Sequence, residues 1–560
     1  MIALQYHEST KHHFNRFARS LGYLDWATQP NPFRRYAGAA VRELPRTGGA
    51  ADTPYDTLFD SCASPVTLDE AALGEFLRCS MGLSAWKQFQ SSRWALRVNP
   101  SSGNLHPTEA YVVWNGRVCH YAPREHALEE RCLLADGPWR DVTGERPILL
   151  VGLTSILWRE AWKYGERAFR YCQHDVGHAF AALRLAAAML GWRMTMLARW
   201  SDDDIAVVLG VDRDADFRDA EREEPECLAV VTTAGDDAEW CSLDPAPLVA
   251  AARAATWRGI ANQLSASRID WPIIDAVAKA TRVATADFDP STRSSDSGLR
   301  PSTLLRASRA KVEGRTPVPA SERRPKSMTG DRRPETGDAS RCAAREAILR
   351  RRSAVAFDAR SSLPKARFLS MLRRLEPVAS PFDALAWPPQ IHLALFVHRV
   401  DGVLPGIYAW LRDDRTAGEW RAAMRPDFLW EEISDGRLFL LAPLDVRWIA
   451  NRVSCDQDIA ADGFFSLGMI ARFEQPLRER GEWFYRRLFW ETGVIGQVLY
   501  LEAEGAGARA TGIGCFYDDP VHDTLGLSGQ AWQSLYHFSM GVPVEDARLA
   551  SEPGYDWEAN

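Results

Sequence analysis

The sequence predicts a duplicated chain, in which two copies of one helix-and-strand fold pack on each other as an intrachain pseudo-dimer. Three observations lead there. At 560 residues the chain exceeds what one hydrophobic core usually organises. A set of residues recurs at one offset. Asp175, Gly177, Asp202–Asp203 and Leu209–Gly210 are matched 316 positions later (491 − 175, 518 − 202) by Glu491, Gly493, Asp518–Asp519 and Leu525–Gly526. Arg170 and Arg486 keep the same register, and each set begins with an apolar stretch of helical spacing. Duplicated domains tend to pack as a two-fold homodimer would. The expected boundaries are a first domain over 1–282 with an N-terminal extension, a linker over 283–340, and a second domain over 341–560.

Residues 1–60 read as an irregular, aromatic-rich entry. His12 and His13 are adjacent and lack a third ligand at a metal-like spacing, so they are read as structural or surface residues, and no metal is expected. Thr67 is an expected N-cap with Glu70 three residues on, ahead of the apolar face of Leu68, Ala72, Phe76 and Leu77. Arg97 to Pro107 holds two prolines, a glycine and two asparagines, which exclude a helix interior or central strand. It reads as a rigid polar loop able to present backbone N–H groups and short side chains to a planar ligand. Ala110–Trp114 reads as a buried strand, Asn115–Gly116 as a hairpin turn and Val118–Tyr121 as the return. Ile148–Leu153 is a second buried strand. Val176, Ala179, Phe180, Leu183, Ala187 and Leu190 predict a buried central helix over Asp175–Leu190, with Gly191 at its C-cap. Beyond about Val283 the chain turns rich in Ser, Thr, Arg, Pro and Gly and cannot bury enough surface to fold alone. The second copy follows, with Phe357–Asp358 answering Phe59–Asp60.

Composition removes several function classes. The net charge of −7 carries no polyanion-binding signature. The ten cysteines are scattered without a CxxC pair, against a zinc ribbon or thioredoxin-type motif. The first residues lack the apolar core of a signal peptide, and no apolar run spans a bilayer. A reducing cytoplasm is the expected setting.

The two copies differ where a site would sit. Arg350–Arg351–Arg352–Ser353 precedes Phe357, whereas the matching Thr53–Pro54–Tyr55–Asp56 has no arginine. Arginines with a serine supply charge-assisted hydrogen bonds for a phosphate. The polar loop shows the opposite asymmetry, since its counterpart over 377–387 lacks the Ser-Ser-Gly-Asn core. Glu491–Thr492–Gly493 is expected to start the second buried helix, with Gln497 facing the site. Gly512–Ile513–Gly514 follows that helix, so it is not the strand–turn–helix dinucleotide fingerprint, and NAD binding by that route is excluded.

These residues resemble the flavin-dependent nitroreductase family, and within it the azoline dehydrogenase branch, which oxidises thiazolines and oxazolines in peptides. Asn99 to Pro107 resembles that branch's flavin loop. Lys163–Tyr164 followed by Arg167 and Phe169–Arg170–Tyr171 resembles its segment before the buried helix. Arg350 to Ser353 resembles the family's phosphate motif, and Glu491 to Gln497 its flavin-contacting helix start. The resemblance implies an α+β fold, with two nitroreductase-like domains in tandem forming an intrachain pseudo-dimer. It also implies FMN in a single composite interdomain site. Asn99, Pro100, Ser101, Ser102, Gly103, Asn104 and His106 would come from the first domain. Arg350, Arg352, Ser353, Glu491, Gly493, Gln497, Gly512 and Gly514 would come from the second. Lys163 and Tyr164 are the implied proton-transfer pair, and hydride would pass through flavin N5. The expected substrate is a small molecule or modified peptide, with an azoline-like ring as one option and a biosynthetic partner protein as a further expectation. The alternatives are an NAD(P)H-dependent nitro or quinone reductase on the same fold, and a non-catalytic scaffold.

Overall fold

The computed structural model describes residues 1–46, 53–60, 63–144, 146–233, 240–284 and 343–558. Each half is built on a seven-stranded antiparallel sheet. The first runs, in spatial order, Ala40–Glu43, Ala127–Leu133, Arg117–Ala122, Thr108–Trp114, Ile148–Ser155, Glu224–Thr232 and Arg193–Met196. The second runs Glu431–Ser434, Leu438–Pro443, Gly406–Trp410, Ile391–Val397, Phe465–Arg472, Trp532–Gly541 and Arg509–Ile513. Six strands keep the same order in both, while the outer edge strand precedes them in the first half (Ala40–Glu43) and forms a hairpin within them in the second (Glu431–Ser434). Helices pack on each sheet, so the chain is two α+β domains in tandem. The hairpin at Asn115–Gly116 forms as expected, both residues taking the positive φ that a two-residue turn requires.

The central helices are Ala168–Met189 and Phe484–Gly505, each of 22 residues and buried along its whole length. Both ends keep the 316-residue register. The helices pack on each other at a symmetric pair of glycines. A Cβ on Gly177 would meet the Trp490 carbonyl oxygen at 2.2 Å, and one on Gly493 would meet the His174 carbonyl oxygen at 2.2 Å. Only a residue without a Cβ lets the two backbones approach this closely. Around the crossing, Trp490 Nε1 donates to Gln173 Oε1 at 2.6 Å, and His174 Nδ1 lies 2.8 Å from Thr492 Oγ1.

Reciprocal ion pairs join the halves. Arg170 of the first domain reaches Asp518 Oδ1 of the second at 2.8 Å, and Arg486 of the second pairs with Asp202 of the first. All four side chains are buried. One large core cluster takes residues from both halves, while two smaller clusters fill the outer side of each sheet. The termini cross over as well. The helix Ile2–Ser9 packs on the second half through His7, which bonds Gln533 and Tyr485, and the strand Ala550–Pro553 pairs with Leu83–Phe89. The 1–282 and 341–560 segments therefore exchange their ends.

Two local readings are corrected. The helix expected from Thr67 runs Glu70–Ser80, and its cap is Asp69, whose carboxylate accepts from Ala72 N at 2.9 Å. The second central helix starts at Phe484, so Glu491, Gly493 and Gln497 lie in its interior. The linker expected over 283–340 lies outside the described residues, apart from Val283 and Ala284. Among the described residues no helix is long and apolar enough to cross a membrane.

Gly493→Ala should destabilise the chain by about 1–3 kcal/mol, because the two helices must separate to admit a methyl group. Urea unfolding checks this, and an unchanged midpoint and slope would contradict the close crossing.

Candidate functional site

The polar loop is held in an unusual backbone. Gly103, Asn104 and His106 have φ of 59°, 59° and 52°, and two of these are not glycine. Local bonds keep this shape. Asn104 Nδ2 donates to Ala95 O at 2.9 Å, and its Oδ1 lies 2.9 Å from His106 Nε2. Burial, and then Arg97 and Arg159, push the His106 imidazole well below its usual range, so Nε2–H of a neutral ring is the donor. Ser101 Oγ accepts from His106 N at 2.8 Å. Asn99 and Pro100 are buried at the entry, and Gly103 is exposed at the tip.

Beneath the loop lie two carboxylates, Asp175, read from the sequence only as a marker of the repeat, and Glu160, which the sequence reading did not single out. Asp175, the register mate of Glu491, accepts from Ser102 N at 3.1 Å and from Ser102 Oγ at 3.3 Å. Burial raises its carboxyl from the ordinary 3.8 to about 7, against the pull of Ser101 and Ser102. Glu160 stands 3.5 Å from Ser101 Oγ. Burial, and then the Asp175 charge, hold its carboxyl well above the usual range.

Lys163 and Tyr164 end the helix Leu157–Tyr164 and lean over the loop tip. A Cβ on Gly103 would lie 2.6 Å from Tyr164 Oη and 3.0 Å from Lys163 Nζ. The structure thus brings the expected proton-transfer pair to the expected loop. Tyr164 continues into Tyr171 at a 4.5 Å ring separation. Tyr171 in turn lies against Gly514, where an added Cβ would meet its ring at 2.2 Å. Gly512 sits likewise under Tyr536, whose Oη would be 1.9 Å from a Cβ. These two glycines let aromatic rings lie directly on the backbone of the second domain's edge strand.

The arginine cluster divides differently from the expectation. Arg350 is half exposed and turns to Glu504 and Glu346, away from the loop. Arg352 is spent on carbonyls, its Nη1 on Leu349 O and Arg351 O and its Nη2 on Ser84 O. Arg351 points across the domain boundary. Its Nε donates to Val98 O at 2.9 Å and its Nη2 to Arg97 O at 3.1 Å, both at the loop's entry. Its guanidinium stands 4.9 Å from the Tyr500 ring. The side chain is buried, Nη1 has no hydrogen-bond partner, and among the described residues no carboxylate forms an ion pair with it. Beside it, Ser353 Oγ and Tyr500 Oη are 2.9 Å apart, and Tyr500 Oη accepts from Gly512 N at 2.9 Å. The cluster was visible in sequence. Which of three consecutive arginines turns inward depends on how the chain leaves the helix Ala344–Arg350, and no pattern encodes that.

Glu491 and Gly493 do not join this constellation. Glu491 is bound to Arg412 and accepts from Gln390 N at 3.0 Å, and Gly493 is the crossing glycine described above. Gln497 is nearer to it. Its buried side chain faces His178, and at the adjacent Gly496 a Cβ would meet the His178 ring at 2.6 Å. His178 Nε2 lies 3.2 Å from Tyr536 Oη, and burial followed by Arg351 lowers that imidazole to about 3.

Comparison with known proteins bears on the family and the fold. The sequence profile of the Nitroreductase family matches residues 85–219 and 348–542, once in each half. A protein of Methanocaldococcus jannaschii that bears a nitroreductase name is 28% identical over 164 residues, covering 27% of this chain and 77% of its own. A crystal structure of a nitroreductase-named protein from Anabaena variabilis superposes with a TM-score of 0.65 at 19% identity, over 97% of this chain and 99% of that one. It shares the whole tandem fold. A chain of the E. coli microcin synthetase McbBCD complex matches 42% of this chain and 81% of its own, at 16% identity and a TM-score of 0.25.

A carboxyl that keeps its proton to higher pH when folded makes the native state bind more protons, so stability falls as pH rises through the shifted range. For Asp175 that range runs from 3.8 to about 7, and Glu160 acts in the same sense. Asp175→Asn removes this titration and keeps an acceptor for Ser102 N. Its stability relative to wild type should improve progressively across the range. Unfolding at stepped pH tests this, and a pH-independent difference would contradict it.

Proposed function

The chain belongs to the nitroreductase family, and from that premise we propose that it is an FMN-dependent oxidoreductase with one composite flavin site between its two domains. The observation that carries the reading is Arg351, sited where the polar loop of one domain meets the edge strand of the other. It is a buried guanidinium that makes no direct ion pair among the described residues, its nearest carboxylate influence coming from Glu504. A buried cation without a direct ion pair is costly, and a bound phosphate would supply one. Ser353 stands next to it. The polar loop over 101–104 supplies backbone that a flat ring can approach, and Arg351 Nη1 is a buried polar atom left without a hydrogen-bond partner. The residues present therefore fit the group: Arg351 and Ser353 for the phosphate, Ser101, Ser102 and Asn104 with Gln497 around the ring, while Gly512 and Gly514 seat the Tyr536 and Tyr171 rings beside it. When bound, FMN supplies a two-electron acceptor at N5.

The finer reading is oxidation of an azoline-like ring in a peptide or natural-product intermediate, as the resemblance implies. Making such a ring aromatic removes one hydride and one proton. In this reading Lys163 Nζ takes the proton and Tyr164 Oη passes it on, both groups being poised over Gly103. The loop's bonds to Asp175 and Ala95 keep the reacting face in position. A cytoplasmic setting and a biosynthetic partner belong to the same proposal.

The purified protein, reconstituted with FMN, is the test. Arg351→Ala should lower bound flavin by about tenfold or more, since it removes charge-assisted hydrogen bonds to the phosphate. Asn104→Ala, on the other domain, should also lower it by unlatching the loop. Lys163→Ala should keep its flavin and lose turnover of a thiazoline-containing peptide, read as loss of two hydrogens by mass spectrometry. Normal flavin content in both cofactor variants would sink the composite site. Bleaching by NADPH without azoline oxidation would select the reductase alternative.

A further inference from the structure

Three potential metal donors from distant parts of the chain meet in the second domain, adjoining Gly514 and Tyr171 but using side chains that the constellation described above does not. His12 lies on the N-terminal arm, Cys455 two residues after the helix Arg447–Val453, and Cys515 two residues beyond the strand Arg509–Ile513. His12 Nδ1 is 3.7 Å from Cys515 Sγ, and the two sulfurs are 3.0 Å apart. All three donor atoms lie within 4.8 Å of one another.

Fixed backbone delivers each of them. His12 N donates to Asp518 Oδ2 at 2.8 Å, and Asp518 N donates back to His12 O at 3.0 Å. Gln457 Nε2 bridges the two thiol segments, donating to Ser454 O at 2.7 Å and to Cys515 O at 2.9 Å. Cys455 and Asp456 both take φ of 55°, a conformation that is uncommon for residues with a side chain. Asp456 is fixed in turn, its Oδ2 accepting from Tyr517 Oη at 3.1 Å.

We propose that His12, Cys455 and Cys515 form a three-ligand zinc site with its fourth position open to solvent. Imidazole and thiolate together suit zinc among the common divalent ions. Tetrahedral zinc with bonds of about 2.3 Å to sulfur and about 2.0 Å to nitrogen needs an N···S edge near 3.5 Å and an S···S edge near 3.8 Å. The His12–Cys515 distance already meets this. The sulfurs part by about 0.8 Å to admit the ion, which a side-chain rotation at two half-buried residues supplies. Binding releases the two thiol protons to solvent, and the two thiolates balance the charge of the ion. The neighbouring Arg167 is held at 2.8 Å by Asp518, a carboxylate it shares with Arg170, and its remaining positive charge favours the thiolate form of Cys515. Half-buried cysteines also leave a path of entry. The site would tie the N-terminal arm to the second domain, across the same boundary that Arg170 and Asp518 bridge.

The test uses the full-length chain, reduced with a phosphine and titrated with zinc alone against a chromophoric chelator. One zinc should be held per chain, and zinc should shield two thiols from a thiol reagent. Cys455→Ser and Cys515→Ser should each lose the ion, and Gln457→Ala should weaken it by about tenfold, as loss of an outer-shell tie does. Cobalt substitution in the wild-type chain should give a thiolate charge-transfer band, a readout that needs no variant to fold. The proposal is overturned if the reduced wild type binds no more zinc than the Cys455→Ser/Cys515→Ser double variant. A Cys455–Cys515 disulfide that persists under the same reduction, seen as a mass lighter by two hydrogens, would equally overturn it.

Discussion

The close crossing of the two central helices is the constraint on which the rest depends. Gly177 and Gly493 let the backbones touch, and each is the other's mate in the internal repeat. Once the crossing is set, Arg170 meets Asp518 and Arg486 meets Asp202 by the same pseudo-two-fold relation. Each arginine is buried and would be costly unpaired, so the pairs fix the angle that the glycines permit. The polar loop, the arginine cluster and the edge-strand glycines come from both domains, and only this packing brings them together.

Within that symmetry, one equivalent position does two different jobs. Asp175 receives the backbone of the Ser-Ser-Gly-Asn loop, whereas Glu491 receives Gln390 N and the Arg412 guanidinium. The first domain's carboxylate shapes a loop that could serve a ligand; the second domain's closes a structural ion pair. The arginines are lost in the first copy and the polar loop in the second. This division of labour is what the single-site proposal rests on, and it explains why each half alone looks incomplete.

Much of this was legible in the sequence, and the failures have physical causes. The repeat register predicted both helices and their correspondence, because acidic, glycine and Leu-Gly markers survive in both copies. The starts of those helices were misjudged. Ala168–His174 and Phe484–Trp490 carry arginines and large aromatic residues on every side, as the helices are buried all round and show no amphipathic stripe. Glu491 and Gly493 were therefore read as a helix start open to a ligand, although they lie at an interhelical contact. Arg350 and Arg352 were named while Arg351 turned inward, a matter of one residue's exit angle. Lys163 and Tyr164 were picked out by the motif resemblance alone, and their place over Gly103 depends on a fold that periodicity does not encode. The donors around His12 were invisible to spacing rules, since they assemble only in three dimensions.

The central claim, that two degenerate halves make one flavin site, is tested most directly by stoichiometry. The full-length chain is saturated with FMN, desalted, and its flavin absorbance compared with its protein concentration. The account predicts one FMN per chain. Two per chain would show that the second interdomain position is intact, and none would remove the flavin reading of Arg351 and the loop altogether.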